Sequence, residues 1–161
     1  MARKSKEVER KWLVKELPDI SRRKGEEIRQ GYITATPGGT EVRVRQKGKK
    51  FFETVKTGTG LKRGEIEVEL SRKQFKVLWP ATRGRRLEKV RYTLKWRGGK
   101  IERDVYKTKL VGLKLAEVEF KSLKEAKAFE PPEWFDKEVT ADKDYQNANL
   151  AARRKKQTTA S

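Results

Sequence analysis

The sequence contains no cysteine and no histidine. Without cysteine there is no disulfide, no thiolate zinc site and no thiol nucleophile. Without histidine, a Ser-His-Asp triad, an imidazole general base and His-ligated metals are all excluded. Any metal held by this chain must sit among oxygen ligands, which favours Mg2+ or Mn2+. No apolar run approaches membrane-spanning length, and the N-terminal stretch MARKSKEVER has no apolar segment behind its basic residues. A cytoplasmic protein with neither secretory signal nor membrane association is therefore expected. Apolar residues are few, 34% against 40% charged. They nevertheless fall in ordered alternation, so the composition does not read as disorder.

What the chain has in excess is positive charge. Lys and Arg total 42 against 23 Asp and Glu, a net +19 over 161 residues. Such a balance points to polyanionic company: phosphates, nucleic acid or an anionic surface. The length suits one domain with a real core. It is expected over residues 1–152, with 153–161 as a basic, disordered tail.

Period-2 alternation predicts eight strands, at about 6–14, 29–36, 40–47, 50–57, 63–70, 86–97, 100–108 and 114–121. TPGGT (36–40), KGKK (47–50) and RGGK (97–100) are hairpin signals, so the sheet is mainly antiparallel. Ser71 is an N-cap for a helix that stops before Pro80, and Ser122 with Glu125 forms a capping box for a second. A last helix is expected from Thr140 or Asp142 to about Arg153, and a short helical turn between Asp19 and Glu27.

The strands share an unusual feature. In KEVERKWLV, Glu7, Glu9 and Lys11 point one way, while Val8, Arg10, Trp12 and Val14 point the other. Arg43 and Arg45 oppose Val42 and Val44; Thr54 and Lys56 oppose Val55; Glu65, Glu67 and Glu69 oppose Ile66 and Val68. Lys89 and Arg91 oppose Val90 and Tyr92; Glu102 and Asp104 oppose Ile101 and Val105; Glu117 and Glu119 oppose Val118 and Phe120. The plain reading is a sheet with its apolar face on the core and its charged face in water. The other reading turns the sheet inside out. Eight strands can close into a barrel that holds one small ligand. Its charged face would then line a tunnel, and its apolar face would lie under helices packed outside. So many buried charges need pairing, water or bound ions. The tunnel reading therefore carries a metal and a compact polyanion with it.

The ordered series Glu7-x-Glu9-x-Lys11, RVR (43–45), Lys56, EIE (65–67), KVR (89–91), ERD (102–104) and EVEF (117–120) resembles the CYTH superfamily, the triphosphate tunnel metalloenzymes. The segments 78–92 and 129–147 are most similar to the small bacterial inorganic tripolyphosphatases. The resemblance implies a mainly β (α+β) fold: a closed eight-stranded antiparallel barrel with a charged interior and a few helices outside. It implies metal-dependent hydrolysis of inorganic tripolyphosphate to diphosphate and phosphate. Glu7, Glu9, Glu117 and Glu119 would bind Mg2+ or Mn2+, with Asp104 as a helper. Lys11, Arg43, Arg45, Lys56, Lys89 and Arg91 would hold the phosphates. Glu65 and Glu67 would orient basic side chains, and Asp142, Lys143 and Tyr145 match a family pattern near the tunnel mouth.

The residue chemistry is compatible with that reading. Phosphoanhydride hydrolysis asks mainly for positioning and charge neutralisation. Arg forks and Lys point charges supply both. With no imidazole present, the candidate bases are a metal-bound water, a carboxylate, with Glu117 as the catalytic candidate, or a lysine lowered by cationic neighbours, Lys11 or Lys89. Alternatives on the same fold are thiamine triphosphatase, nucleoside triphosphatase and class IV adenylate cyclase. From another class comes a non-catalytic barrel that binds polyphosphate or nucleic acid. The surplus surface charge is a solubilising surface or a nonspecific polyphosphate- or RNA-binding one. Outward apolar residues left uncovered would support a homodimer.

Overall fold

The computed structural model describes residues 2–15, 23–59, 61–97 and 99–154. Nine strands form one antiparallel sheet in the order β5-β4-β3-β2-β6-β7-β8-β1-β9, and β5 pairs back onto β1. They are β1 (Ala2–Val14), β2 (Glu26–Ala35), β3 (Glu41–Lys47), β4 (Lys50–Thr57), β5 (Lys62–Leu70), β6 (Arg86–Trp96), β7 (Gly99–Tyr106), β8 (Lys114–Phe120) and β9 (Phe135–Glu138). The first eight close the barrel. Strand β1 carries two partners on one edge: Ala2–Val8 lie against β5, and further along Trp12 and Val14 lie against β9. Its other edge, from Val8 to Leu13, pairs with β8. The expected eight strands are thus present. The ninth, β9, is too short to give a clear alternation.

Turn chemistry follows the sequence. Gly48, at φ 60, takes the left-handed position of the β3–β4 turn, where a Cβ would be strained. Gly31 serves a different purpose: a Cβ there would meet the Thr82 side chain at 2.4–2.9 Å. Its absence lets the 3-10 turn at Trp79–Thr82 press onto β2.

Two apolar clusters lie outside the barrel. Helix α1 (Arg72–Leu78) sets Phe75 against Phe51, with ring centroids 4.9 Å apart, over Val44. Its N-cap Ser71 forms a complete capping box with Gln74. On the far side, Trp12, Ile101, Ala116, Val118 and Phe135 form a second cluster beneath α2 (Leu123–Ala128), with Phe129 packed on it. The outward apolar face is therefore covered at these two places, as the inside-out reading requires, while Ile66 and Val68 on β5 stay exposed. Ser122 does cap α2 through the Glu125 N–H, but the Glu125 carboxylate reaches the Lys121 N–H instead of closing the box on Ser122.

The C-terminal segment departs from expectation. A single helix from 140 or 142 to 153 is replaced by a 3-10 turn (Lys143–Tyr145), an extended Gln146 and α3 (Asn147–Ala152). Nor does α3 pack on the outside. Leu150 and Ala151 join Tyr32, Leu87, Tyr106 and Leu115 in a third apolar cluster. Those four barrel residues share the inward parity of Lys89, Asp104 and Glu117, so the cluster stoppers one end of the barrel. Of the helical turn expected between Asp19 and Glu27, residues 19–22 lie outside the described residues, and Glu26 and Glu27 begin β2.

Candidate active site

Alternation delivers the charged side chains to one interior chamber of about 210 Å³. Glu7, Glu9, Arg43, Arg45, Lys56, Glu65, Glu67, Lys89, Arg91, Glu117 and Glu119 all line it. Lys11 lines a second, smaller chamber of about 80 Å³ toward the stoppered end, together with Tyr32, Glu41 and Arg63. Glu7, Glu9, Arg43, Lys56 and Asn147 border both chambers. A wider groove beside Trp96, Ile101 and Phe129 lies on the outside.

The acids and bases are mostly paired. Lys56 Nζ lies 2.8 Å from Glu7 Oε2, and Lys11 Nζ lies 3.3 Å from Glu117 Oε1. Arg45 donates to Glu67 at 3.2 Å, and the Thr54 hydroxyl donates to the same oxygen at 3.0 Å. Arg91 grips Asp104 with two parallel bonds of 2.7 and 2.8 Å, also reaching Glu102 and, at 3.4 Å, Glu117. Lys89 donates to Asp104 at 2.7 Å. Pairing of this kind offsets the cost of burying the charges.

Two arginines stand out. Arg43 and Arg45 each keep a buried Nε with no hydrogen-bond partner. Burial, with Arg43 and Arg91 nearby, lowers Arg45 to about 10. Arg43 moves the other way: burial would lower it, but Tyr32 and Glu41 raise it above the usual guanidinium value. Donors crowded together and aimed into a chamber with bonds to spare form an anion cradle.

The two lysines proposed as bases separate. Burial lowers Lys89 to about 8, with Arg91 adding to the effect and Asp104 opposing it. For Lys11, burial is outweighed by Glu117 and Glu9, and its pKa is raised. The expectation of a lowered Lys11 is corrected on that ground. Lys11 also donates to the Tyr145 carbonyl at 3.1 Å, so the C-terminal segment holds it from below.

Across the β1–β8 register, Glu9 faces Glu119 directly. Neither has an ion-pair partner among the described residues, and like charges so placed destabilise a sheet. Burial, then Glu117, raises the Glu9 carboxyl to about 8. An all-oxygen set short of positive charge fits a hard divalent cation. Yet no three acids among the described residues already converge as a ligand cluster. Glu7, Glu9, Glu117 and Glu119 would hold such an ion together with oxygens supplied by water or substrate.

Three expected site residues sit elsewhere. Asp104 was assigned to the metal, but its carboxylate is fully buried and occupied by Lys89 and Arg91. Its position anchors the basic wall. Asp142 caps the 3-10 turn by accepting the Asp144 N–H at 3.0 Å, and Lys143 is exposed. Neither lines a chamber. The residue that does enter is Asn147, which lies within 3.5 Å of Glu117 and accepts a 2.6 Å bond from the Tyr106 hydroxyl. Strand parity could not find it, because it arrives on a helix from outside the barrel. Glu102 was placed inside by parity but given no role; it pairs with Arg91 and, at 3.0 Å, with Lys100.

Residues 5–159 match the CYTH domain model. The chain is 47% identical over 150 residues to an inorganic triphosphatase of Nitrosomonas europaea, covering 90% of this chain and 96% of that one. It is 36% identical over 147 residues to an inorganic triphosphatase of Acetivibrio thermocellus, covering 90% and 92%. The fold superposes on the crystal structure of the inorganic triphosphatase NE1496 with a TM-score of 0.68 at 44% identity, covering 92% of this chain and 95% of that one.

Proposed function

The chain belongs to the CYTH-domain family, and we propose that it is a metal-dependent hydrolase that cleaves inorganic tripolyphosphate to diphosphate and phosphate inside the tunnel. The observation that carries this reading is the anion cradle: Arg43 and Arg45 with buried, unpartnered Nε atoms beside Lys56, Lys89 and Arg91. Its relatives named inorganic triphosphatase support the substrate class.

Hydrolysis adds water across a P–O–P link. The water oxygen bonds to one phosphorus, the bridging oxygen leaves, and one proton must be taken up. In this reading Arg43, Arg45, Lys56 and Arg91 hold the phosphates and spread the charge that builds on their oxygens. Lys11 stays protonated and adds a point charge at the inner end. Lys89 is a lysine close enough to neutrality to accept a proton near pH 8. Asp104 and Glu102 hold the Arg91 guanidinium in place, and Asn147 steadies Glu117. Glu65 supports Lys56 from 3.8 Å, and Glu67 supports Arg45. Bound at Glu7, Glu9, Glu117 and Glu119, Mg2+ or Mn2+ would neutralise phosphate charge and polarise the P–O bonds.

The lining favours inorganic triphosphate over nucleotides. The larger chamber has no aromatic side chain among its lining residues; Phe52, which shares the strand parity of Thr54 and Lys56, does not border it. A non-catalytic barrel would have no use for carboxylates that repel phosphate. The test is phosphate release from tripolyphosphate, ATP and thiamine triphosphate, each with and without Mg2+ or Mn2+. Metal-dependent release confined largely to tripolyphosphate is expected. Equal turnover of ATP, or full turnover in excess EDTA, would overturn the reading. No helix among the described residues is long and apolar enough to cross a membrane. Ile66 and Val68 leave a narrow aliphatic strip exposed on β5, which is the face a homodimer would use.

A further inference from the structure

The outer wall of the barrel has a groove that tunnel chemistry does not use. It encloses about 610 Å³ and is lined by Arg29, Trp79, Arg86, Glu88, Thr108 and Lys109. It crosses β2 and β6 between the 3-10 turn after α1 and the turn that follows β7. Its cations are held in place. The Arg29 and Arg86 guanidinium groups lie 4.9 and 4.4 Å from the centre of the Trp79 ring. Arg86 also donates to the Thr82 hydroxyl at 2.9 Å and to the Trp79 carbonyl at 2.8 Å. The Lys109 ammonium donates to the Ala151 carbonyl near the end of α3.

These positioning groups are carbonyls, a hydroxyl and a ring, which fix a cation without cancelling its charge. Glu88 is the one carboxylate in the lining, 3.7 Å from Arg29. Partial burial, then Arg83 and Arg29, lowers Arg86, the sign of cations crowded together. The interior basic wall differs, since Lys89 and Arg91 each meet a carboxylate there. Fixed cations with little counter-charge attract an extended anion.

The surroundings also indicate what kind. Unstacked bases need an open aromatic face. Trp79 stacks on Phe75 at 5.0 Å and carries the two guanidinium groups. The large apolar side chains exposed among the described residues are Ile66, Val68, Val77, Val111 and Leu123, all aliphatic. A chain of phosphates without bases suits this surface better than single-stranded RNA. We propose that the groove is an exterior docking site for long-chain inorganic polyphosphate, held by Arg29, Arg86 and Lys109 with Arg83 at its edge, and separate from the tunnel. The site stands whether or not the tunnel cleaves tripolyphosphate.

The experiment uses the whole protein and fluorescently labelled long-chain polyphosphate, with anisotropy read in EDTA at fixed salt. The triple variant Arg29→Gln, Arg83→Gln, Lys109→Gln is compared with Lys124→Gln, Lys127→Gln, Lys137→Gln, which removes equal charge from exposed positions on α2 and β9. Melting curves check that both fold. Loss of three phosphate contacts should weaken binding about tenfold or more and flatten its salt dependence, against about threefold or less for the control. Tripolyphosphate turnover should be unchanged in both; in a parallel series with metal in place of EDTA and ionic strength held constant, tripolyphosphate at a concentration that saturates turnover should not displace the polymer. Equal losses in the two variants would make the binding unlocalised and overturn the proposal. Displacement by tripolyphosphate would place the polymer in the tunnel. An RNA homopolymer bound as tightly, and lost with the same substitutions, would make the groove a nucleic-acid site instead.

Discussion

Two walls of one tunnel handle buried charge in opposite ways. On β6 and β7, Lys89, Arg91 and Asp104 are almost wholly removed from solvent and satisfy one another through bonds of 2.7–2.8 Å. On β1 and β8, Glu9 faces Glu119 without a cation between them. Glu117 alone belongs to both walls, lying 3.3 Å from Lys11 and 3.4 Å from Arg91. The basic wall is organised before anything binds. On the acidic wall two carboxyls face each other, and Glu9 is raised to about 8, so at neutral pH it holds a proton. Under the proposed function, one wall would grip phosphate at a fixed geometry, while the other would tie metal binding to protonation.

The largest break in this contrast should come from Arg91→Ala. It strips Asp104, whose carboxylate is fully buried, of its two-bond partner. Removing one partner of such a buried pair costs about 3–5 kcal/mol. Thermal melts should show that loss along with lost turnover. Arg85 would be a poor control, since it donates to the carbonyls of Tyr32, Ile33 and Ala81. Lys124→Ala, on the exposed face of α2, is a sound one. A melt unchanged by Arg91→Ala would mean the basic wall is not preorganised.

Glu9→Gln should instead leave the fold intact and remove metal-dependent turnover. The loss should exceed the about 10–100-fold that changes beyond the direct ligands cost. Stability supplies the second readout. Glu9 has a folded pKa of about 8 against an ordinary 4.5. Between those values the folded form holds a proton that the unfolded chain has lost. Glu9 therefore makes stability fall as pH rises through that window, and its contribution is fully present only below it. In EDTA, melts of Glu9→Gln should lack this part of the slope. An unchanged slope would place the carboxyl in contact with water.

Metal binding should also release protons. At neutral pH without metal, Glu9 is largely protonated, and ligation requires the carboxylate. Titrating Mg2+ or Mn2+ into weakly buffered protein at pH 7 should liberate close to one proton per ion bound, and less above pH 9. Equal release at both values would remove Glu9 from the ligand set.

The smallest effect concerns Lys89. Its pKa of about 8 predicts turnover that rises through that value at saturating metal. Lys89→Arg keeps the charge and the bond to Asp104 but cannot lose a proton, so it should flatten the rise. The stability sign is opposite to that of Glu9. Between about 8 and 10.5 the unfolded chain holds the proton that folded Lys89 has given up, so Lys89 makes stability increase with pH. A profile unchanged in Lys89→Arg would move the proton acceptor elsewhere.

Strand alternation made most of this interior readable in advance. Period 2 is a local property of the backbone, so Glu7, Glu9 and Lys11 share a face whatever surrounds them. Once the strands close into a barrel, that face is inside. The hairpin turns set strand order by short-range chemistry, and the serine caps set where α1 and α2 begin. Residue type and spacing by themselves excluded imidazole and thiol chemistry, left oxygen atoms as the ligands open to any metal, and set which side chains point inward.

Partnership was decided only by the tertiary structure. Lys11 and Lys89 occupy equivalent inward positions on their strands, yet one is raised by Glu117 and Glu9 while the other is lowered by burial beside Arg91. Asp104 and Glu117 look alike in sequence, but a register one strand over gives the first to the cations and leaves the second shared between walls. The stopper at one end, and Asn147 with it, comes from a segment more than a hundred residues from β1. Burial and charge proximity depend on which distant strands and helices meet, and period and composition carry no distance.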